Sequence, residues 1–202
     1  MASDNNTEQR HKIRMEKRKA VVDASIASST QDKGLVLVLT GNGKGKSSSA
    51  FGMVARALGH NLNVGVAQFV KNRRDTGEEA FFQQQANVIW KVLGDGFTWE
   101  TQNRKQDIAT AEQGWQQAQV MLKDDSINLV VLDELTYLLK DGYLDMDLVL
   151  SDISARPTMQ HVVVTGRGAP TALCDIADTI TELKDIKHAF RAGIQAQKGI
   201  DL

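Results

Sequence analysis

The segment with the clearest chemistry is a glycine-rich loop with two lysines, Thr40–Ser47, which reads TGNGKGKS. Glycines let the backbone curl so that successive N–H groups point at an anion, and the start of a following helix adds further donors. Lys46 would neutralise phosphate oxygens, and the hydroxyl of Ser47 would bind Mg²⁺. The loop therefore predicts a site for the phosphate chain of a nucleotide. The predicted phosphate-binding residues are Gly41, Asn42, Gly43, Lys44, Gly45, Lys46 and Ser47.

One position departs from the common phosphate-loop pattern G-x-x-x-x-G-K-S/T. The first glycine of that pattern falls at position 40, where this chain has Thr40. A residue with a Cβ atom does not take the same turn as freely as glycine does. We therefore expect the loop to bind phosphates in a register that differs from that of a standard nucleotide-hydrolysing enzyme.

Two carboxylates, Asp133 and Glu134, follow the apolar run Ile127–Leu132. In phosphate-loop proteins we expect such a strand beside the one that leads into the loop, with its acidic end at the metal. Because hard carboxylate oxygens suit Mg²⁺, we expect Ser47 and Glu134 to hold the metal ion. The alternative is that the two carboxylates only cap the helix that follows the strand.

Two large aromatic side chains, Phe97 and Trp99, stand in the segment after the third apolar run. Spaced by two, they would project from the same side of an extended chain. They form either a platform for a flat or apolar ligand, at the edge where open α/β sheets bind ligands, or a plug beneath the sheet. The residues alone leave both interpretations open.

Arg167 stands in the turn Gly166-Arg167-Gly168, directly after another apolar run. At the carboxyl end of a parallel strand it would reach the same ligand edge and clamp phosphate oxygens. The alternative is an ordinary surface arginine. The four histidines have no spacing typical of a zinc site. Cys174 lies in an apolar helical stretch, which favours a core position over a nucleophile.

Short apolar runs that alternate with helical segments must position these residues. Runs without polar alternation are typical of strands covered on both faces, as in a parallel sheet. Helical periodicity over residues 47–59 and 103–124 predicts two helices between strands, and this alternation predicts a three-layer α/β fold. The predicted strands are Leu35–Leu39, Val64–Val70, Val88–Val92, Ile127–Leu132, His161–Thr165 and Thr179–Leu183.

The composition excludes several classes of protein. The 202 residues include 24 Lys and Arg against 25 Asp and Glu, a net charge of −1, whereas nucleic-acid-binding domains are usually far more basic. No apolar run approaches the length of a transmembrane helix, and the N-terminus does not resemble a secretory signal. A single cysteine fits a reducing cytoplasm. We therefore expect a cytoplasmic protein with neither nucleic acid nor membrane as a partner.

The first 33 residues differ in character from the rest. Basic residues cluster between Arg10 and Lys19, where only Glu16 is acidic, and a weak apolar stripe predicts an amphipathic helix over residues 8–28. We expect a mobile arm over residues 1–33 and one nucleotide-binding and catalytic α/β domain over residues 34–202. The arm is either a solvated extension or a segment that closes over a ligand or a partner subunit.

In this order, the segments resemble the ATP:corrinoid adenosyltransferases of cobalamin metabolism, of the phosphate-loop type rather than the helical-bundle types. The resemblance spans nearly the whole chain and is loose only over residues 72–87. It implies a mostly parallel six-stranded sheet of the RecA-type phosphate-loop fold, and a cytoplasmic homodimer. The matching segments are TGNGKGKSS at 40–48, GHNLNVGVAQFVK at 59–71, GFTWETQN at 96–103, VVLDELTY at 130–137, VVVTGRG at 162–168 and KHAF…GI…A..GID at 187–201.

The resemblance also implies a reaction, in which the 5′-deoxyadenosyl group of ATP passes to the Co(I) of a reduced corrinoid such as cobalamin, releasing triphosphate. It implies that ATP lies in the loop in a reversed sense, and that Phe97 and Trp99 exclude the lower axial ligand of cobalt. We expect Lys44, Lys46 and Arg167 to neutralise the leaving triphosphate. The implied metal is Mg²⁺, with Mn²⁺ as an alternative, and the implied partner is an electron-donating, flavodoxin-like reductase.

Two other functions would use the same loop and the same carboxylates. In an ATP-hydrolysing motor of the RecA type, Glu134 would activate water instead of binding metal. A non-catalytic corrinoid carrier would use ATP only as an assembly signal. The near-neutral charge and the aromatic pair argue against a motor, because a motor that acts on nucleic acid needs a basic surface.

Overall fold

The computed structural model describes residues 2–70, 76–94 and 103–201, with side chains from residue 7 onward. Backbone contacts divide the chain between Asp32 and Lys33. The first unit contains the helix α1 (Ala2–Ser28), which begins earlier than the predicted start at residue 8. The functional roles of an arm and a catalytic domain stay predictions. Among the described residues, no helix is both long and apolar enough to cross a bilayer.

The second unit alternates strands and helices. Its strands are β1 (Val36–Thr40), β2 (Val64–Gln68), β3 (Val88–Val92), β4 (Leu129–Asp133), β5 (His161–Thr165) and β6 (Thr179–Glu182). Its described helices are α2 (Lys46–Gly59), α3 (Gly77–Phe82), α4 (Arg104–Leu122), α5 (Leu135–Lys140), α6 (Met146–Ser154) and α7 (Thr171–Asp175), and a 3₁₀ turn spans Ala189–Ala192.

The six strands form one parallel sheet in the order β3-β2-β4-β5-β1-β6. Parallel pairing brings all six carboxyl ends to one edge, which we call the carboxyl edge. Strand β5 lies between β1 and β4, because Val164 pairs with Val38 on one side and with Leu132 on the other. The expectation that the acidic strand lies directly beside the loop strand is therefore wrong.

Helices cover both faces of this sheet, and the predicted three-layer α/β fold is confirmed. Side chains that alternate along β4 and β5 enter two different hydrophobic cores. Val130 and Leu132 of β4 pack on one face with Trp115 of α4. Leu129 and Val131 of β4 pack on the other face with the α2 side chains. An apolar strand without alternation is what burial on both faces requires.

The edge strand β6 differs from the prediction of strands buried on both faces. All four of its residues are exposed, and Ile180 is 49% exposed. As the last strand in the sheet order, β6 has a strand neighbour on one side only. The bounds of β3 and β5 are those predicted, whereas those of β1, β2 and β4 differ by at most two residues, and the shift of β4 places Asp133 inside that strand.

Candidate active site

The phosphate loop begins where β1 ends. Thr40, at the position where the common pattern has glycine, is the last residue of β1 and pairs with Glu182 of β6. Its Oγ1 accepts a hydrogen bond of 3.2 Å from the backbone N–H of Ala169, beyond β5. The turn itself starts one residue later, at Gly41, whose φ is +100°. The threonine therefore joins three neighbouring segments instead of forming the turn.

Gly41 and Gly43 are required by the close approach of the chain that follows β6. A Cβ atom on Gly41 would lie 2.4 Å from the carbonyl oxygen of Leu183, and one on Gly43 would lie 2.6 Å from that of Lys184. The N–H of Gly43 donates to the Leu183 carbonyl at 2.7 Å. The expectation that successive glycine N–H groups all face an anion is thus wrong for Gly43, since the protein itself uses that donor.

Backbone donors that suit an anion lie instead at the start of α2. Gly45 occupies the N-cap position with φ +113° and no side-chain cap, a backbone conformation that favours glycine. The first-turn N–H groups have no acceptor within the helix and carry the positive end of its dipole. Ser47 is half-buried in this first turn. This geometry suits a phosphate group.

Lys46 turns back over the loop, and its Nζ donates to the carbonyl oxygen of Gly43 at 2.7 Å. Partial burial lowers the pKa of Lys46, and the positive charge of Arg167 lowers it further, while Glu134 and Asp133 oppose the shift. Arg167 follows β5 and Glu134 follows β4, yet both charges act on Lys46. The structure therefore brings the predicted residues Lys46, Glu134 and Arg167 together at the carboxyl edge.

Glu134 stands at the N-cap position of α5, but its side chain makes no capping hydrogen bond. Its backbone is left-handed, with φ +62° and ψ +20°, which is uncommon for a residue with a side chain and typical of functional sites. The interpretation of Glu134 as a mere helix cap therefore loses its support. The half-buried carboxylate is instead placed within electrostatic reach of Lys46.

Asp133 has a different role from its neighbour, because it is fully buried and hydrogen-bonded on both carboxylate oxygens. Gln68 of β2 donates to Oδ2 at 3.0 Å, and the hydroxyl of Thr165 of β5 donates to Oδ1 at 2.7 Å. Trp90 of β3 extends this network by donating to Gln68 at 3.0 Å. Asp133 therefore links strands of the sheet and is not exposed to a ligand.

Thr165 connects this network to Glu134. Its Oγ1, which donates to Asp133, also accepts a hydrogen bond of 2.9 Å from the backbone N–H of Glu134. Sequence reasoning did not identify Gln68, Trp90 or Thr165 as site residues. Two features of the sequence could have identified two of them. Gln68 is a polar residue within the apolar run of β2, and Thr165 ends the apolar run of β5 with a hydroxyl group.

We expect Thr165→Val to lower both stability and activity. The isosteric change leaves Oδ1 of buried Asp133 without its donor, which costs about 2 kcal/mol or more for a charged group, and it removes the acceptor for the N–H of Glu134. Thermal unfolding and the rate at saturating substrates measure the two effects. Thr181→Val on the exposed strand β6 is the matched control. A Thr165→Val protein with the parent's melting temperature would contradict the network.

Arg167 lies on a turn that glycine makes possible on both sides. Gly166 has φ +138°, and a Cβ atom there would lie 2.0 Å from the hydroxyl oxygen of Thr136. That hydroxyl donates to the carbonyl oxygen of Arg167 at 3.0 Å. The side chain of Arg167 is exposed. With Asn42 it lines a cavity of about 630 Å³, whose other wall is the chain after β6.

Two predicted site residues, Phe97 and Trp99, lie outside the described residues. Of the other predicted residues, Lys44 pairs with Asp201 through Nζ and Oδ1 at 2.6 Å. Cys174 is half-buried on α7. Within the described ranges, no group of three or more histidine, cysteine, aspartate or glutamate side chains converges on a metal position.

The sequence matches known proteins over nearly its full length. Residues 32–202 match the family described as ATP:corrinoid adenosyltransferase BtuR/CobO/CobP, and residues 1–26 match the one described as Cob(I)alamin adenosyltransferase N terminal. The chain is 60% identical to the corrinoid adenosyltransferase of Pseudomonas aeruginosa over 195 residues, 96% of each protein.

Two further relatives carry the same description. The chain is 46% identical to the corrinoid adenosyltransferase CobA of Salmonella typhimurium, over 96% of this chain and 99% of that protein. It is 43% identical to the corrinoid adenosyltransferase of Escherichia coli K12, with the same coverage. The similarity therefore includes the phosphate loop, the carboxyl edge and the N-terminal helix.

Proposed function

This chain belongs to the ATP:corrinoid adenosyltransferase family, and on that premise we propose how its residues transfer the adenosyl group of ATP to a corrinoid. The Co(I) of the reduced corrinoid is the nucleophile. Its electron pair forms the bond to the 5′-carbon of ATP, and the carbon–oxygen bond electrons leave with triphosphate. The protein need not supply a nucleophile. It must align two substrates and stabilise the charge of the leaving group.

The observation that carries this proposal is the position of Lys46, folded over the phosphate loop within electrostatic reach of Arg167 and Glu134. The N–H groups at the start of α2 and the two cations Lys46 and Arg167 all serve a polyphosphate at the carboxyl edge. These groups are in place before the negative charge of triphosphate develops, which is the arrangement that stabilises a leaving group most effectively.

The oxygen donors at this edge fit Mg²⁺. The hydroxyl of Ser47 and the carboxylate of Glu134 are hard ligands, and Mg²⁺ is commonly bound by one or two carboxylates together with substrate phosphates. The left-handed backbone of Glu134 supports a role toward a ligand. When bound, the ion supplies positive charge to the triphosphate. Ser47 and Glu134 are the residues that would hold it.

We expect Glu134→Gln to raise the Mg²⁺ concentration at half-maximal rate by about tenfold or more. Mutation of a residue that only orients a metal ligand already lowers metal affinity by about that factor. The amide keeps the shape of the carboxylate but is a poorer ligand for a hard cation. Rates measured across a Mg²⁺ titration test this. Glu112→Gln, an exposed change of the same charge on α4, is the control. An unchanged titration would show that Glu134 does not hold the metal ion.

The corrinoid must be reduced before it can react, and by family resemblance Phe97 and Trp99 make this reduction easier. Bulky apolar side chains next to cobalt would displace its lower axial ligand by steric and dielectric means. Because that ligand stabilises the oxidised states, its removal raises the reduction potential of cobalt. We propose that an electron-donating partner of the flavodoxin-like class then supplies the electron.

The same family resemblance supports the assembly and location that we propose. The chain would work as a homodimer in the cytoplasm, where Cys174 stays reduced. The N-terminal helix α1 would close over a ligand or the partner subunit. Its own family match over residues 1–26 supports a role beyond that of a solvated extension.

One experiment distinguishes adenosyl transfer from the rival function, ATP hydrolysis by a motor. We expect the protein to leave ATP and Mg²⁺ unchanged until a reduced corrinoid is added, because the electron pair that attacks the 5′-carbon belongs to cobalt. Chromatography of the nucleotides, with and without corrinoid, measures this. Steady production of ADP and phosphate from ATP alone would favour the motor, with Glu134 activating water.

A further inference from the structure

The last described residues, 184–201, form a strap across the carboxyl edge of the sheet. The strap leaves β6 at one side and forms the outer wall of the cavity that Asn42 and Arg167 line. Its far end, Gly199 and Ile200, reaches α3 and lines a second cavity of about 330 Å³ there. The strap therefore crosses the phosphate loop from β6 to α3.

The strap has few internal supports. Its regular structure is the 3₁₀ turn Ala189–Ala192, and an ion pair joins Asp185 to Arg191 within it. Phe190 is 77% exposed and Ile194 is 51% exposed, so neither is anchored in a core. An irregular segment of this length loses much conformational entropy when it is ordered. Its position must therefore depend on the contacts at its ends.

At the far end, Asp201 makes such a contact. Its Oδ2 accepts a hydrogen bond of 3.0 Å from the backbone N–H of Gln197, and its own N–H donates to the Gln197 carbonyl at 2.8 Å. These two bonds close a turn that contains Gly199, with φ +79°. The other carboxylate oxygen, Oδ1, is thereby aimed at the phosphate loop, where it pairs with Lys44.

We propose that Asp201 is a positioning residue of the nucleotide site, which latches the strap to the phosphate loop through Lys44. The pair joins the two walls of the cavity, since Lys44 belongs to the loop and Asp201 to the strap. Latching keeps the strap over the bound nucleotide and reduces the ordering that binding would otherwise require. This inference rests on the proposed function of the loop as the ATP site.

The opposite role is also chemically reasonable and gives the opposite result. The carboxylate of Asp201 is an anion next to a phosphate-binding loop, so it could compete with ATP for Lys44. A latch helps ATP to bind, whereas a competitor hinders it. Removing the charge of Asp201 therefore weakens ATP binding in the first case and strengthens it in the second.

The test is calorimetric titration of the full chain with MgATP in four variants, Asp201→Asn, Asp201→Glu, Lys44→Gln and the double variant Asp201→Asn with Lys44→Gln. Because exposed ion pairs contribute little free energy, we expect Asp201→Asn to raise the Kd for MgATP by only about three- to fivefold. Asp201→Glu should restore most of the affinity. In the Lys44→Gln background, Asp201→Asn should cause no further loss, since the pair is already broken.

Two further readouts separate a latch from a general loss of structure. Asp201→Asn should raise the KM for ATP but leave kcat at saturating ATP within about twofold of the parent. Hydrogen exchange should accelerate at the amides of the strap, including Gln197, while the melting temperature of the α/β unit stays near that of the parent. Asp125→Asn, an exposed change of the same charge before β4, is the matched control.

Equal or tighter binding of MgATP by Asp201→Asn would overturn the latch, and tighter binding would identify Asp201 as a competitor. An additional loss in the double variant would also overturn it, because the two residues would then act separately. If the parent chain itself fails to bind MgATP, the proposed function of the loop is wrong. Strap exchange that is unchanged in Asp201→Asn would refute the latch independently of ATP.

Discussion

Lys46→Ala is expected to lower the rate of adenosyl transfer by about two to three orders of magnitude, the cost of removing a comparable electrostatic stabiliser. The Nζ of Lys46 sits over the phosphate loop, 2.7 Å from the carbonyl of Gly43, and Arg167 lies close enough to lower its pKa. Triphosphate leaves with several negative charges, and alanine has no positive charge to compensate them. The rate at saturating ATP and reduced corrinoid measures the loss.

Lys123→Ala is the control for that variant, because Lys123 is exposed at the end of α4, on the opposite edge of the sheet. It should keep the parent rate. Lys46→Ala should also keep the parent melting temperature, since the bond to Gly43 is a single half-exposed contact. A Lys46→Ala rate within about threefold of the parent would be too small for a leaving-group stabiliser and would contradict the phosphate-loop assignment.

For Phe97→Ala and Trp99→Ala, the loss of activity should depend on how cobalt is reduced. With Co(I) prepared by a strong chemical reductant, transfer should largely survive, because the phosphate chemistry is intact. With Co(II) and a weak, biological-type reductant, activity should fall by about tenfold to a hundredfold, as for other groups that tune a metal. The spectrum of bound Co(II) should lose its four-coordinate signature while ATP affinity stays near the parent value.

Phe82→Ala is the control for the alternative interpretation, in which Phe97 and Trp99 fill a hydrophobic core. Phe82 is 5% exposed and packs against Trp90 in the core beside α2, so its truncation should cost about 3–5 kcal/mol of stability. The loss of activity should then be the same with either reductant. If Phe97→Ala and Trp99→Ala behave like Phe82→Ala, with a lowered melting temperature, the two aromatics fill a core and do not line a corrinoid site.

The elements of the fold were predictable from the sequence because most of its strands are buried on both faces. Continuous apolar runs marked β1, β2, β4 and β5 to within two residues. The neighbour relationships were not predictable in this way, because β5 is as apolar as β1 and β4 and nothing local places it between them. The edge strand β6 was predicted together with the buried strands, although three of its four residues are polar, and all four are exposed.

The sequence predicted which residues meet at the carboxyl edge, but not the approach between segments that are distant in the chain. Lys46, Glu134 and Arg167 were identified by their place after apolar runs. Gly43 was assigned to phosphate, yet its N–H binds Leu183, a contact 140 residues along the chain that no local pattern encodes. The pairing of Lys44 with Asp201 has the same cause, since it forms only after the strap crosses the carboxyl edge.

Adenosyl transfer itself is tested by following the carbon that is transferred. ATP labelled at the 5′-carbon is incubated with the protein, Mg²⁺ and chemically reduced corrinoid, and the products are separated in the dark. We expect the label to enter a light-sensitive cobalt–carbon product, with one inorganic triphosphate released for each corrinoid modified. Label that stays in ADP, or in ATP that is bound but unreacted, would contradict adenosyl transfer at this site.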